Sequence, residues 1–241
     1  MPSDFYAALS GALAMESRLN TVANNVANMS TPGFKAEIVN FEAVLSSHAK
    51  QTTLFAQEGE PHISMQPGAV QQTGNALDVA IQGDGFLQVQ TGDGPKLSRD
   101  GRMTIGPDGI LRSVTGYPVL DGGGAEIAFD PAAGQVTIGT DGTIVQNDQV
   151  QGQIGLFTVP AGANITPAMT GDALLESDQA PQPVAERSVA SLRQGYIEDS
   201  NVDPIRAITE LITVQRNYEH MTSAKRDRLD ALQEAINSLG E

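Results

Sequence analysis

Apolar residues recur at Phe5, Ala8, Ala12, Met15, Leu19, Val22, Val26 and Met29, alternately three and four positions apart. That spacing is the a/d seam of a heptad helix, and such a seam needs a second helical surface to cover it. The helix would be about 40 Å long at 1.5 Å per residue, with Ser3 or Asp4 able to cap its start. At the other end of the chain a second seam runs through Leu211, Val214, Tyr218 and Met221. After a four-residue stutter around Lys225 it continues through Leu229, Leu232, Ile236 and Leu239. Asn201 or Ser200 is placed to cap this helix, Asp203 and Pro204 to occupy its first turn, and Gly240 to lie just past its end. Two seamed helices at opposite ends of one chain are expected to pair with each other or with copies.

Beside the first seam, Asn20, Asn24 and Asn28 form an i, i+4, i+8 row with Asn25 next to it. Asparagine is a poor helix former in isolation. In a lone chain the row reads as a solvated polar face; in a bundle lined by other subunits it reads as a row of hydrogen-bonding groups for packed neighbours. The helix then meets Ser30-Thr31-Pro32-Gly33. Proline pushes Thr31 toward extended geometry, and Pro-Gly suits the two central positions of a type II turn. Phe34 follows at once, so the turn aims an aromatic anchor in a new direction.

Between the helices the texture changes twice. From Lys35 to about Gln72 the pattern is weak, with prolines at 61 and 67, and reads as an extended connector with a short helix. From Thr73 to about Glu186 it becomes β. Leu77, Val79 and Ile81 alternate, and Phe86 or Leu87 and Val89 resume the run after Gly83-Asp84-Gly85. Asp-Gly pairs at 84–85, 93–94, 100–101, 108–109, 121–122 and 141–142 each suit a tight hairpin turn, because glycine accepts positive φ. The predicted class is α+β: paired terminal α-helices, as a coiled coil, enclosing a mainly antiparallel β domain with an extended connector. The boundaries are residues 1–30 for the first helix, 31–72 for the connector, 73–186 for the β domain, 187–200 for a return connector and 201–241 for the second helix.

Composition narrows the function classes. A hydrophobic fraction of 40% in 241 residues supports a packed core. The net charge of −15 repels nucleic acid and anionic lipid. The absence of cysteine removes disulfides, thiolate metal sites and cysteine nucleophiles. No run of about 18 uncharged apolar residues occurs, so no membrane-spanning helix is expected. Residues 1–30 lack the basic start, apolar run and small-residue cleavage site of a secretory signal.

Catalytic signatures are missing. No G-x-S-x-G, phosphate loop or H-E-x-x-H occurs, and His48, His62 and His220 stand apart. The Asp-Gly loops lack the alternating oxygen ligands of a calcium site, and no aromatic sugar platform accompanies the acidic residues. The chain is expected to be no enzyme and to carry no catalytic, cofactor-binding or metal residues.

Three stretches carry a family resemblance. Leu19-x-x-Val22-Ala23-Asn24-Asn25-Val26-Ala27-Asn28-Met29-Ser30-Thr31-Pro32-Gly33-Phe34-Lys35 resembles the N-terminal signature of the bacterial flagellar axial proteins, the rod and hook subunits. Ser200-Asn201-Val202-Asp203 with Leu211-Ile212-x-x-Gln215-Arg216-x-Tyr218-Glu219 resembles their C-terminal signature, and Leu77-Asp78-Val79-Ala80-Ile81-x-Gly83-Asp84-Gly85-Phe86-Leu87 resembles their interior. The resemblance spans nearly the whole chain, and its length is nearer the proximal rod subunits than the distal rod or hook subunits.

The resemblance implies a structural subunit of the basal-body rod. Its terminal helices would form a coiled coil in the inner wall of a tube, with the β domain facing outward. It implies unfolded passage through the flagellar type III export apparatus to a periplasmic rod, with proximal and distal rod proteins and copies of itself as partners. The assembly interface is expected at Leu19, Val22, Asn24, Asn25, Val26, Asn28, Thr31, Pro32, Gly33, Phe34, Ser200, Asn201, Val202, Leu211, Val214, Gln215 and Tyr218. The isolated chain is expected to have frayed ends, and Gly33→Val to impair incorporation while leaving the β domain folded. The rival readings are a distal rod protein and a secreted β-rich binding module on a coiled-coil stalk.

Overall fold

The computed structural model describes residues 2–39, 41–48, 51–58, 62–129, 134–168, 173–184 and 189–239, with side chains left undescribed through most of 1–9, 40–61 and 224–241. The class is α+β, with two helices and antiparallel sheets. The chain divides into two compact units, one of Met1–Ala27, Glu37–Pro61 and Asp203–Glu241, the other of Asn28–Ala36 and His62–Val202.

In the first unit, helix α1 spans Pro2–Ala27 and helix α2 spans Pro204–Leu239. They lie against each other and run antiparallel: Gly11 faces the Met221 methyl, and Arg18 pairs with Glu210 at 2.7 Å. The described seam positions are those turned inward. Val22 and Val214 are buried, and Ala12, Met15, Leu19, Val26, Leu211, Tyr218 and Met221 are half-buried. Side chains of Phe5, Ala8, Leu229, Leu232, Ile236 and Leu239, and all of Gly240, lie outside the described residues.

Both expected caps are corrected. Helix α1 already contains Ser3 and Asp4. Helix α2 is capped by Asp203, whose Oδ1 accepts from the Ile205 and Arg206 amides at 3.0 and 3.2 Å. Neither Ser200 nor Asn201 is the cap, because Asn201 is committed to other backbone groups, described below. Pro204 then takes the first helical position, where its missing N–H loses no bond. Asp203→Ala should lower stability by about 1 kcal/mol, readable as a shift in the urea midpoint of the helical signal.

Among the described residues of 35–72 the expected short helix does not occur. Phe41–His48 and Gln51–Glu58 form an antiparallel hairpin, registering Val44 with Phe55 and Leu45 with Leu54. Adjacent rather than alternating apolar residues hid these strands, since period-two alternation is what marks a strand in sequence.

The second unit is built on an antiparallel six-stranded sheet in the spatial order Ile165–Pro167, Leu175–Ser177, Gly94–Ser98, Phe86–Thr91, Leu156–Thr158, Gln182–Pro183. A three-stranded sheet (Val136–Ile138, Thr143–Gln146, Gln149–Gln153) and several two-stranded pairs surround it. Their inward residues, among them Val79, Ile81, Leu87, Val89, Leu111, Val119, Ile144 and Ile154, form one buried cluster.

The Asp-Gly pairs divide. Those at 93–94, 108–109 and 141–142 sit in hairpins, and Asp121 closes a turn by accepting from the Gly123 and Ala125 amides. The pairs at 84–85 and 100–101 are not hairpins. Val79–Gly83 pairs with Ala190–Gln194 instead of with the following strand, so 84–85 links two sheets. A hairpin at Asn147-Asp148, both at positive φ (50° and 58°), joins two strands of the three-stranded sheet where no glycine announced it.

Candidate functional site

Two bonds make the turn after α1: the Phe34 amide donates to the Thr31 carbonyl at 3.2 Å, and the Thr31 amide to the Asn28 carbonyl at 3.1 Å. Thr31 Oγ1 also reaches Asn28 Oδ1 at 3.2 Å. Pro32 and Gly33 take the central positions, with Gly33 at φ +72° as a type II turn requires. Positive φ is only half of why glycine stands here. A Cβ at Gly33 would lie 2.2 Å from the Asp100 amide nitrogen and 2.4 Å from the Arg99 carbonyl carbon.

The turn is held by the segment just before α2. The Gly33 amide donates to the Glu198 carbonyl at 2.7 Å, and the Asn201 amide donates to the Phe34 carbonyl at 3.3 Å. The Asn201 side chain accepts from the Ala36 amide at 2.7 Å and donates to the Ser64 and Gln66 carbonyls at 3.0 and 2.8 Å. One amide group thus ties three backbone segments, one N-terminal, one from the strand region after 62, and its own. Asn201→Ala would strand those groups, and should cost about 2–3 kcal/mol in a urea titration of the full chain.

Beneath the turn lies a buried ionic cluster. Lys35, Arg99 and Glu198 are 1%, 4% and 2% exposed. Glu198 Oε1 accepts from Lys35 Nζ at 2.6 Å and from the Gly68 amide at 2.8 Å; Oε2 accepts from Arg99 Nε and Nη2 at 3.0 and 2.9 Å. Lys35 also donates to the Gln66 carbonyl, and Arg99 to the Gly83 and Gly85 carbonyls while lying over the Phe86 ring. Every polar atom of the carboxylate is met, which is what a charge taken from water requires. Burial lowers the Lys35 pKa below the usual lysine value, against the opposing pull of Glu198.

In the helical unit the asparagine row finds partners in its own chain. Asn25 exchanges two bonds with the Glu37 backbone, its Nδ2 donating to the carbonyl and its Oδ1 accepting from the amide, both at 2.9 Å. Asn24 Nδ2 donates to the Glu37 carboxylate. Burial raises the Glu37 pKa, and the bond from Asn24 partly offsets that rise. Asn25 therefore copies a strand neighbour, offering amide and carbonyl in the spacing a peptide would. Asn20 stays exposed.

The structure thus brings Thr31, Pro32, Gly33, Phe34, Ser200, Asn201 and Val202 into one unit, and Leu19, Val22, Asn24, Asn25, Val26, Leu211, Val214 and Tyr218 into the other. Asn28 opens the turn, Ser200 accepts from the Val202 amide at 3.3 Å, and Gln215 is exposed, donating to Glu219 at 3.2 Å. Glu198 and Arg99 are the residues that sequence reading missed. The signal for Glu198 was an acid next to Ile197, in the Glu198-Asp199 pair that precedes the C-terminal signature. Among the described residues no cluster of three His, Asp or Glu is placed to hold a metal ion, and no helix is long and apolar enough to cross a membrane.

Hydrogen bonds of backbone and side chain thus lock two distant signatures together in the manner of a structural joint. Three family models match in order: "Flagella basal body rod protein" over residues 5–35, "Flagellar hook protein FlgE/F/G D1 domain" over 80–146, and "Flagellar basal body rod FlgEFG protein C-terminal" over 193–224. The chain belongs to the flagellar basal-body rod protein family. It is 40% identical to the flagellar basal-body rod protein FlgF of Mesorhizobium japonicum, with 100% of this chain and 99% of the relative covered. It is 37% identical to FlgF of Caulobacter vibrioides at the same coverage, and 29% identical to the rod protein FlgG of Bacillus subtilis over 98% of this chain and 99% of that one.

Proposed function

We propose that this chain is a building block of the flagellar rod, in its proximal segment, and that it transmits motor torque through its terminal helices rather than through any catalytic or ligand-binding site. The observation that carries this reading is the joint of Gly33, Lys35, Glu198 and Asn201, which ties the chain segment after the first helix to the segment before the second. A rod that turns without yielding needs helices anchored at their roots, and buried, fully bonded polar clusters anchor firmly.

On this reading the helices of residues 1–30 and 201–241 build the inner wall as a coiled coil, residues 73–186 form the outer β domain, and 31–72 and 187–200 connect the layers. Its partners are copies of itself, other proximal and distal rod proteins and the export apparatus, and it reaches the periplasm unfolded. The proximal assignment is supported by full-length relatives at 37–40% identity that carry the name FlgF.

In the isolated chain, amides of 2–27 and 204–239 should exchange at least tenfold faster than those of the Val79–Gly83 and Phe86–Thr91 strands, since helices with alanine and asparagine along them gain little without packing. Equal protection in the monomer would oppose folding on assembly. The function itself is tested by deleting the gene and fractionating basal bodies. Loss of motility, and of the protein and everything distal to it from the rod fraction, is expected; basal bodies intact without it would refute the role.

A further inference from the structure

An Asp-Gly pair can rearrange on its own backbone, because glycine puts no side chain between its amide nitrogen and the aspartyl carboxyl carbon. The six such pairs of this chain differ in how they are held. Oδ1 of Asp100 and of Asp108 accepts from the amide two residues on, at 3.0 and 3.3 Å, and arginines grip both carboxylates a second time. Oδ1 of Asp121 and of Asp141 likewise accepts from the amide two residues on, at 2.8 and 3.1 Å. A side chain held so must give up that bond before its carboxyl carbon can take a nucleophile. The pair at 84–85 is locked through its backbone instead. The Asp84 amide donates to the Val189 carbonyl at 3.2 Å, Arg99 holds the carbonyls of Gly83 and Gly85, and a Cβ at Gly85 would stand 2.6 Å from that of Ala190.

Asp93 has neither restraint. The residue two on is Pro95, which has no amide hydrogen to give. Asp93 is exposed at the tip of the hairpin joining Phe86–Thr91 to Gly94–Ser98, and its carboxylate meets no hydrogen-bond or ion-pair partner among the described residues. Apart from adjacent residues, nothing lies within 4 Å of where a Cβ would stand on Gly92 or Gly94, so a ring has room to close.

We infer that Asp93-Gly94 is the site at which this chain forms isoaspartate, and that Pro95 is the reason. The Gly94 nitrogen attacks Cγ of the protonated Asp93 carboxyl. The N–Cγ bond forms, the nitrogen gives up its proton, and the carboxyl hydroxyl leaves as water, closing a succinimide. Water then opens the ring. Addition at Cγ restores aspartate; addition at the Asp93 backbone carbonyl carbon sends the main chain through the side-chain methylene and leaves the former backbone carboxyl pendant. The main chain gains one atom between 93 and 94. Buried Thr91 pairs with Gly94 and donates its hydroxyl to the Gly94 carbonyl at 2.7 Å, so the change falls on the closing pair of the hairpin. The pendant carboxyl is the group that isoaspartyl methyltransferases esterify with S-adenosylmethionine, which makes the altered tip a substrate of that class.

The full-length chain is aged for weeks in mildly acidic buffer, where part of the aspartyl carboxyl is protonated. After digestion, isoaspartyl methyltransferase with labelled S-adenosylmethionine measures isoaspartate, and fragment-ion spectra place it on its residue. In the folded chain the label is expected at Asp93 and at background at the other five pairs; in urea all six should label. Asp93→Glu, whose ring would need a further member, should lose the label. Pro95→Ala, which returns an amide two residues on, should lower it about fivefold, the factor of one hydrogen bond of ordinary net strength. Label on another pair of the folded chain, no label at Asp93 before urea is added, or label at Asp93 undiminished in Pro95→Ala would overturn the inference.

Discussion

Gly33→Ala is expected to lower the stability of the β unit by about 3 kcal/mol or more and to abolish rod incorporation. Two penalties combine. A residue with a Cβ at φ +72° pays about 1–2 kcal/mol in backbone strain. The added atom would also stand 2.2 Å and 2.4 Å from backbone atoms of Asp100 and Arg99, neither of which can swing aside as a side chain could. Gly74 supplies the control. It has the same φ of +72° but nothing within 4 Å of its Cβ position, so Gly74→Ala should show the strain alone. The difference between the two urea midpoints isolates the contact, and equal midpoints would contradict the structure. The sequence-based expectation that a bulkier residue at Gly33 spares the β domain is therefore revised. Gly33 abuts the backbone of that domain, and its damage falls there.

Glu198→Ala should cost about 3–5 kcal/mol, because it leaves Lys35 and Arg99 buried without their counter-ion. The loss of the acceptor for the Gly68 amide adds to this. Lys35→Met should cost less, since Glu198 keeps Arg99 and the Gly68 amide as partners. Urea titrations of the two variants and their combination give the coupling energy, expected at about 1–3 kcal/mol for residues in one network. Additive effects would show that the cluster is not a unit.

How much of this was legible in the sequence follows from which signals are local. The helix seams, the Thr31–Phe34 turn and most hairpins rest on periodicity or on residues adjacent in sequence, and those are visible in a single chain. The α2 cap was misplaced by two or three residues because Ser200, Asn201 and Asp203 are all good caps. Only the fold reveals that Asn201 is engaged with Ala36, Ser64 and Gln66. The hairpin of 41–58 and the partnering of Val79–Gly83 with Ala190–Gln194 depend on register between segments, which no local pattern encodes. The ionic cluster was hidden for the same reason. Lys35, Arg99 and Glu198 look like surface charges until three distant segments meet. The asparagines changed meaning most. Asn24 and Asn25 looked like groups awaiting a neighbouring subunit, yet both bond to Glu37 of their own chain.

The signature motifs also hold the chain's own joint together, so Asn201→Ala should weaken folding of the isolated chain.

The most direct measurement is a density map of the assembled basal body, at a resolution that traces helices, with this chain identified by a label inserted at the 147–148 turn. The expected result places residues 2–27 and 204–239 in the wall lining the rod bore, and the strands of 79–91 outside that wall. Terminal helices pointing away from the bore, or a labelled chain lying outside the rod altogether, would contradict the account.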